Sequence, residues 1–525
     1  MRDSESAHSE VRRGAIATPH YLATEAGEAA FRAGGNAIDA ALAAAAVLTV
    51  VYPNNTAIGS DLIALVRRPD GEVQCVNSSG FAPIAQDPMR LRAVHGDRLP
   101  LRGVDTITVP GGVKGWEALV SLGAKLGWSA LFEPAIRHAA DGVPLARSVA
   151  DALVENRDDV LADPGLRELF FAHGAPLAEG ETLIQPALAR SLSELQAHGA
   201  ATLYGGELGS RLITGLSKLG CVMTLDDLAA FEPEFVTPIS TRFRNFDVLT
   251  SPPNTQGFVL LRALSALQRL GDPDNILEEQ SGALARIFES SNAIRNLLLA
   301  DPRFSGIGND QLLYDELDQD AHAVTGPTRA TGDTVGVSAI DSDGYAVSLI
   351  QSVYYGFGSA ILEPTTGILL QDRGTSFSLD PDSPNVIAPR KRPKTTLMPV
   401  LVTRDDEVQW VSSAMGGQGQ PQIHAQILLR SMSGASAANA TSSPRWVIGV
   451  QDDGDTDETT YVEEDNSTRS IRSLTESGVA IKLVPPRNEI VGHATLIRVR
   501  PDGSFDAASD PRSDGTASEV TTPLS

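Results

Sequence analysis

Cysteine is almost missing: Cys75 and Cys221 are the pair found in 525 residues. They are too few and too far apart for a disulfide framework or a thiolate metal site, which fits a redox-indifferent, cytoplasmic protein. Lysine is scarce as well, with Lys114, Lys125, Lys218, Lys391, Lys394 and Lys482 making up the whole set. A formal net charge of -24 repels polyanions, so neither nucleic acid nor an anionic membrane is expected as a partner, and a small molecule is. Long apolar runs are absent. The longest, "ALAAAAVLTVVY" (41–52), falls short of the roughly twenty residues that span a bilayer. The polar start "MRDSESAHSEVRRG" has no apolar core, so no secretory signal is read in it. The nine histidines form no i, i+4 pair suited to zinc, so no metal site is expected and no cofactor is implied.

Two common catalytic loops are missing too. "FGSAI" (357–361) lacks the second glycine of a nucleophile elbow, which removes the usual α/β serine hydrolase. "MGGQGQP" (415–421) lacks the Gly-Lys-Ser/Thr of a phosphate loop and reads as a tight turn donating backbone N–H groups. What is present is enough apolar sequence, 42% of residues, for one large layered α/β unit or two to three domains.

The chain changes texture along its length. Residues 19–52 predict two alanine-rich helices, broken at Gly34-Gly35 and restarted by Asn36 as a cap. "DLIALVRRPDGEVQCV" (61–76) predicts a hairpin, and 104–123 a short strand, a Pro-Gly-Gly turn and a helix. Residues 127–325 are mostly helical by period. The acidic run "DDGDTDETTYVEED" (452–465) is expected to be solvated surface. After 332 come strands separated by glycine turns, and the polar end is expected to fray beyond about 515.

Thr334 heads the first of those later strands, directly after Asp333. A threonine hydroxyl is a weak nucleophile unless a base stands beside it, and its own α-amine, freed by backbone cleavage and with a pKa near 8, can be that base. From local sequence alone, the plainer reading of Thr334 as a β-branched strand residue is the favoured one.

The order of seven stretches bears on that choice: "AGGNAIDAALAAAAVLTVVYP", "TVPGGVKGWEAL", "GDTVGVSAIDSDGYAVSLIQSVYYGFGSAI", "TGILLQDRGTSFS", "KRPKTTLMP", "AMGGQGQPQIHAQIL" and "GHATLIRV…DGSFDAASDPRSDG". Together they resemble the γ-glutamyltranspeptidase family of N-terminal nucleophile hydrolases, from about residue 13 to about 515. The resemblance implies an α+β fold, a four-layer αββα sandwich formed jointly by two pieces of one precursor: a large subunit 1–333, and a small subunit 334–525 with a flexible tail over about 516–525. It implies cleavage between Asp333 and Thr334, Thr334 as nucleophile, Gly416 and Gly417 as oxyanion donors, and Ser352 as a hydroxyl supporting the nucleophile. The two pieces are expected to stay together as one unit, and pairing of two such units is left open.

Departures from the family pattern bear on the substrate. A γ-glutamyl zwitterion needs a cation for its carboxylate and a carboxylate for its ammonium. Ser79 stands at the family's arginine, Thr375 and Ser376 at its Asp-Asp pair, Tyr354 at its asparagine, and Val335 at the second threonine of the nucleophile motif. Thr395 and Thr396 occupy the family's Ser-Ser position. A new cation, Arg373, enters the same loop, and its fork suits a small carboxylate with no ammonium, although a structural arginine paired with Asp372 or Asp380 reads equally well. The overall pattern looks most like the oxamate amidohydrolase branch. The expected activity is hydrolysis of an oxamate-like amide; the alternatives are a γ-glutamyltransferase or glutathione hydrolase, and an unprocessed, non-catalytic relative.

Overall fold

Asn36 divides the alanine-rich start as expected. Its side chain accepts the N–H groups of Ile38 and Asp39 while the Asp39 carboxylate accepts the Asn36 N–H, a reciprocal cap that separates helix α1 (Tyr21–Arg32) from α2 (Ala37–Val51). Every residue of α2 is buried, which a helix apolar all round requires. The computed structural model describes residues 11–271, 274–314, 333–452 and 454–523. The end of the stretch read as helical, 315–325, lies outside the described residues.

Two antiparallel sheets carry the architecture. In chain order their strands are β1 (Val11–Thr18), β2 (Asp61–Arg67), β3 (Val73–Ser78), β4 (Glu234–Val236), β5 (Ile239–Phe243), β6 (Phe246–Thr250), β7 (Asp333–Asp341), β8 (Ala346–Tyr354), β9 (Val400–Arg404), β10 (Glu407–Met415), β11 (His493–Val499), β12 (Phe505–Ser509) and β13 (Thr516–Pro523). One sheet runs β13-β1-β7-β8-β2-β3-β4 and the other β12-β11-β10-β9-β6-β5. Their inner faces meet through Ala15, Ala17, Ile63, Ile350, Leu401, Val411 and Ile497. On the outer face of the first sheet lie α1, α2 and α3 (Gly112–Ser121), and on the outer face of the second lie α4 (Phe258–Arg269), α5 (Ser281–Leu298) and α6 (Gln420–Met432). The molecule is thus an α+β sandwich in four layers, αββα. No helix among the described residues is long and apolar enough to cross a membrane.

Four expectations need correction. The tail does not fray at 515: Thr516–Pro523 is β13, paired with β1 from Thr18↔Thr516 to Val11↔Pro523. Its polar residues suit a strand with one face to solvent, a pattern that composition alone reads as loop. The acidic run is not all solvated, because Thr459–Glu463 is a buried strand of a small three-stranded sheet and Glu463 pairs with the buried Arg512. Val104–Thr106 forms a 3₁₀ turn in place of a strand. Finally, the largely helical half also supplies the hairpin β5–β6, which extends the second sheet through β6–β9 pairing.

Candidate active site

β7 begins at Asp333, so Asp333 and Thr334 are consecutive residues of one central strand in this structure. The pairing of β7 with β8 shifts register between Asp333 and Val335, so the ladder is irregular at Thr334. Two residues on, Gly336 lets the two sheets touch: a Cβ there would stand 2.8 Å from Ser413 Cβ and 3.0 Å from the Ala414 nitrogen. That contact lays the start of β7 against β10, which ends at Met415, beside Gly416.

Thr334 is 1% exposed, and its Oγ1 donates to Ser352 Oγ at 3.0 Å. Its carbonyl accepts from Asn55 Nδ2 at 3.3 Å. Ser352 Oγ also accepts the Tyr354 N–H at 2.8 Å. That bond helps to hold Tyr354 at φ +85°, a conformation that costs a non-glycine residue on the order of 1–3 kcal/mol. The Tyr354 ring lies under the Arg373 guanidinium, 3.9 Å from ring centroid to Cζ. A chain of direct contacts therefore runs from Thr334 through Ser352 and Tyr354 to Arg373.

Arg373 is fully buried in the 3₁₀ turn Arg373–Ser376. Its Nη1 donates a long 3.4 Å bond to Thr396 Oγ1, while Nε and Nη2 have no hydrogen-bond partner among the described residues. Among the described residues the nearest carboxylate is Asp61, whose Oδ2 lies 3.8 Å from Nε and has no hydrogen bond there. Burial pushes the Asp61 carboxyl up to about 6 and that of Asp372 up to about 7, against the pull of Arg373 and of Arg102 respectively. Burial also lowers Arg373. Neither aspartate neutralises the guanidinium by direct hydrogen bonding. The alternative pairing of Arg373 with Asp372 or Asp380 is not among the ion pairs of the described residues.

Gly416 (φ +147°) and Gly417 (φ +49°) form the turn after β10 in conformations that favour glycine. Gly416 O accepts from the Gly419 N–H at 2.7 Å and Gly417 O accepts from Gln256 Nε2 at 2.8 Å. A trans peptide points its N–H opposite to its carbonyl, so these two bonds turn the Gly417 and Gln418 N–H groups the other way. Gln256 Nε2 also donates to Thr396 O at 2.9 Å, tying the threonine segment to the glycine turn.

The remaining expected residues sort into two groups. Thr396 joins the Arg373 cluster, and Thr395 sits beside it with its N–H on Asn254 O at 2.9 Å. Ser376 uses its carbonyl to accept from Asn385 Nδ2, and Ser79 bonds Asn77 Oδ1 at 2.7 Å, so both are held in structural hydrogen bonds. At Ser79 an arginine does arrive from elsewhere: Arg392 Nε donates to Ser79 O at 2.9 Å, but its Nη1 pairs with Glu234. Asn55, Asp61, Gln256 and Arg295 were missed in the sequence. "VYPNNTAIGSD" and "SPPNTQG" carried a signal, a polar run set between a buried helix or strand and the next element, which is where buried hydrogen bonding is expected to be specific.

A sequence model of the family described as Gamma-glutamyltranspeptidase matches residues 23–520. The chain belongs to the γ-glutamyltranspeptidase family. It is 34% identical over 516 residues to the glutathione hydrolase-like YwrD proenzyme of Bacillus subtilis (strain 168), covering 96% of this chain and 97% of that one. It is also 34% identical over 523 residues to the oxamate amidohydrolase proenzyme of Klebsiella pneumoniae, covering 96% and 98%. Among solved structures, cephalosporin acylase from Bacillus halodurans superposes with a TM-score of 0.85 at 30% identity, over 99% of each chain. As a member of this family the protein is an autoprocessing amidohydrolase of the N-terminal nucleophile type.

Proposed function

We propose that Thr334 is the nucleophile of an amidohydrolase acting on a small carboxylate-bearing amide of the oxamate kind, made competent by cleavage between Asp333 and Thr334 into subunits 1–333 and 334–525. The observation that carries the substrate class is Arg373, a wholly buried guanidinium with Nε and Nη2 unfilled. Buried N–H groups without acceptors are costly, and a carboxylate accepting both would remove that cost in one step. Thr334 Oγ1 attacks the substrate carbonyl with the freed α-amine taking its proton. The oxyanion is met by N–H groups of the turn at Gly416 and Gly417, and the C–N bond breaks as the amine leaves with that proton. Water then opens the ester, releasing the acid and restoring the hydroxyl. Ser352, hydrogen-bonded to Thr334, holds the hydroxyl in line for both the self-cleavage and the turnover.

A second reading rests on Asp61. Its unbonded Oδ2 lies 3.8 Å from Arg373 Nε, so the pair could clamp an α-carboxylate and an α-ammonium together, as a γ-glutamyl substrate requires. Intact mass of the purified protein in denaturant, beside a Thr334→Ala control, tests the nucleophile: two fragments meeting at Asp333/Thr334 are expected from the first and one chain from the second. A single chain in both overturns the reading. Comparing kcat/KM for oxamate and for a γ-glutamyl anilide then separates the two substrate classes, and preference for the anilide favours the Asp61 clamp.

A further inference from the structure

The cleft lined by Tyr355, Thr375, Ser376, Asn385, Asn296 and Lys394 has a volume of about 880 Å³. That is the volume of a drug-sized ligand site, far more than a two-carbon amide acid fills. Lys394 precedes Thr395 and Thr396 in the chain. Its backbone N–H is fixed on Asn385 Oδ1 at 3.1 Å, and Asn385 Nδ2 in turn holds Ser376 O. Its position is therefore set by the same loop that carries Arg373.

The Lys394 ammonium makes no ion pair or hydrogen bond with any described residue, the cleft carboxylates Asp97, Asp380 and Asp382 included. Behind it stands a second cation with only neutral acceptors at hydrogen-bond distance. Arg295 donates to Gln256 Oε1 at 3.2 Å, to Asn292 Oδ1 at 3.1 Å, to Asn296 Oδ1 at 3.1 Å and to Gln418. Thr375 Oγ1, on the same wall, is buried without a partner among the described residues. Lys394 has no carboxylate partner among the described residues, and Arg295 has none at hydrogen-bond distance, Asp457 acting on it only at longer range; in a protein of formal charge -24 these two cations are a local excess that an anionic ligand would relieve.

Resting on the reading of Thr334 and Arg373 given above, we infer that Lys394 binds a second anionic group of the substrate, carried on the amine that leaves, so that the substrate class is an oxalyl amide of an amino acid. The direction follows from burial and chain position. With the acyl half esterified to Thr334 and its carboxylate on the enclosed Arg373, the amine half is assigned to the cleft, because its Tyr355, Thr375 and partly exposed Lys394 lie within two residues of Tyr354, Arg373 and Thr396 in the chain. For N-oxalylglycine the C–N bond breaks on acylation, glycine leaves with the proton from Thr334, and water cleaves the ester to oxalate. Burial and the nearby Arg295 lower the Lys394 ammonium to about 8, with no carboxylate raising it again, so the preference for the second carboxylate weakens as pH rises through that value.

The test uses the processed enzyme and two readouts. Wild type should show kcat/KM for N-oxalylglycine at least tenfold above that for oxamate; Lys394→Met should bring the ratio to near one, chiefly through KM, and Lys394→Arg should restore it. Glutarate, an unreactive isostere with the same three atoms between its carboxylates, should bind wild type at least tenfold more tightly than Lys394→Met by calorimetry. Equal glutarate binding to both proteins, or none to either, overturns the role of Lys394 whatever the activities are. Oxamate and N-oxalylglycine both left intact while glutarate binding still depends on Lys394 overturns the oxalyl substrate class and leaves the second anion site standing. Turnover of oxamate with no preference for N-oxalylglycine overturns the inference alone.

Discussion

Thr334, Ser352 and Tyr354 look like ordinary β-strand residues one at a time, and their interest comes from the hydrogen bonds that join them. Thr334 Oγ1 donates to Ser352 Oγ, which also takes the N–H of the strained Tyr354. Ser352→Ala should therefore slow the appearance of the two fragments by at least tenfold without abolishing it, followed as an intact-mass time course. Arg373→Met removes the proposed carboxylate fork. A charged hydrogen bond contributes about 1.5–3 kcal/mol, so kcat/KM for oxamate should fall on the order of a hundredfold. Arg373→Lys should recover only a small part of it, because a point charge cannot reproduce the fork or the stack on Tyr354. An unchanged kcat/KM in Arg373→Met would leave Arg373 a structural residue.

At the scale of elements, the close contact between β7 and β10 is set by a missing side chain. Gly336→Ala would put a methyl 2.8 Å from Ser413 Cβ and 3.0 Å from backbone, with little room to yield. Overpacking of this kind costs about 1–3 kcal/mol, and here it also moves the start of β7, so both a lowered melting temperature and delayed cleavage are expected from calorimetry and mass. The hydroxyl seam next to it reinforces the contact: Ser338 Oγ bonds Ser413 and Thr495, and Ser348 Oγ reaches Ser412 O at 2.7 Å. The start of α2 offers a milder comparison. Asn36→Ala breaks the reciprocal cap with Asp39 and should lower unfolding stability by about 1 kcal/mol in a denaturant titration, with cleavage intact.

For the whole molecule, the strand order decides what happens after a cut before Thr334. In the first sheet β7, β8 and β13 lie between or beside β1 and β2 of the other piece, and in the second β5 and β6 join β9 to β12. Two pieces interleaved in the first sheet and joined through β6–β9 pairing in the second cannot separate without breaking both cores. Gel filtration should show the fragments co-eluting at neutral pH and parting only in denaturant. Acid should loosen the same assembly. Burial lowers His20 and His493 to about 4 and His424 to about 3, all below the 6.5 of the unfolded chain. Groups depressed in the fold contribute stability that is present above about 6.5 and lost as pH falls through 4, on the order of 3 kcal/mol for each histidine. Unfolding measured from pH 7 to 4 should show that decline, with the three ring-proton resonances unshifted above pH 5.5.

The paired alanine-rich helices, the first hairpin and the strand beginning at Asp333 are legible in the sequence because their signals are local: a cap, a turn dipeptide, an alternation. The candidate nucleophile, its supporting serine and the glycine turn were legible as an ordered set of motifs, since each occupies a fixed place in the chain. What the sequence could not give was decided by residues far apart in it. That Thr516–Pro523 is an edge strand depends on β1, some five hundred residues earlier, and local composition holds no trace of a remote partner. That Arg373 is buried with two N–H groups unfilled depends on Asp61, Tyr354 and Thr396 converging from three segments. That Lys394 faces a cleft beside Arg295 depends on α5 and the threonine segment meeting. Periodicity and turn chemistry are properties of neighbours, whereas desolvation and unmet charge are properties of an enclosure, and only the folded chain encloses.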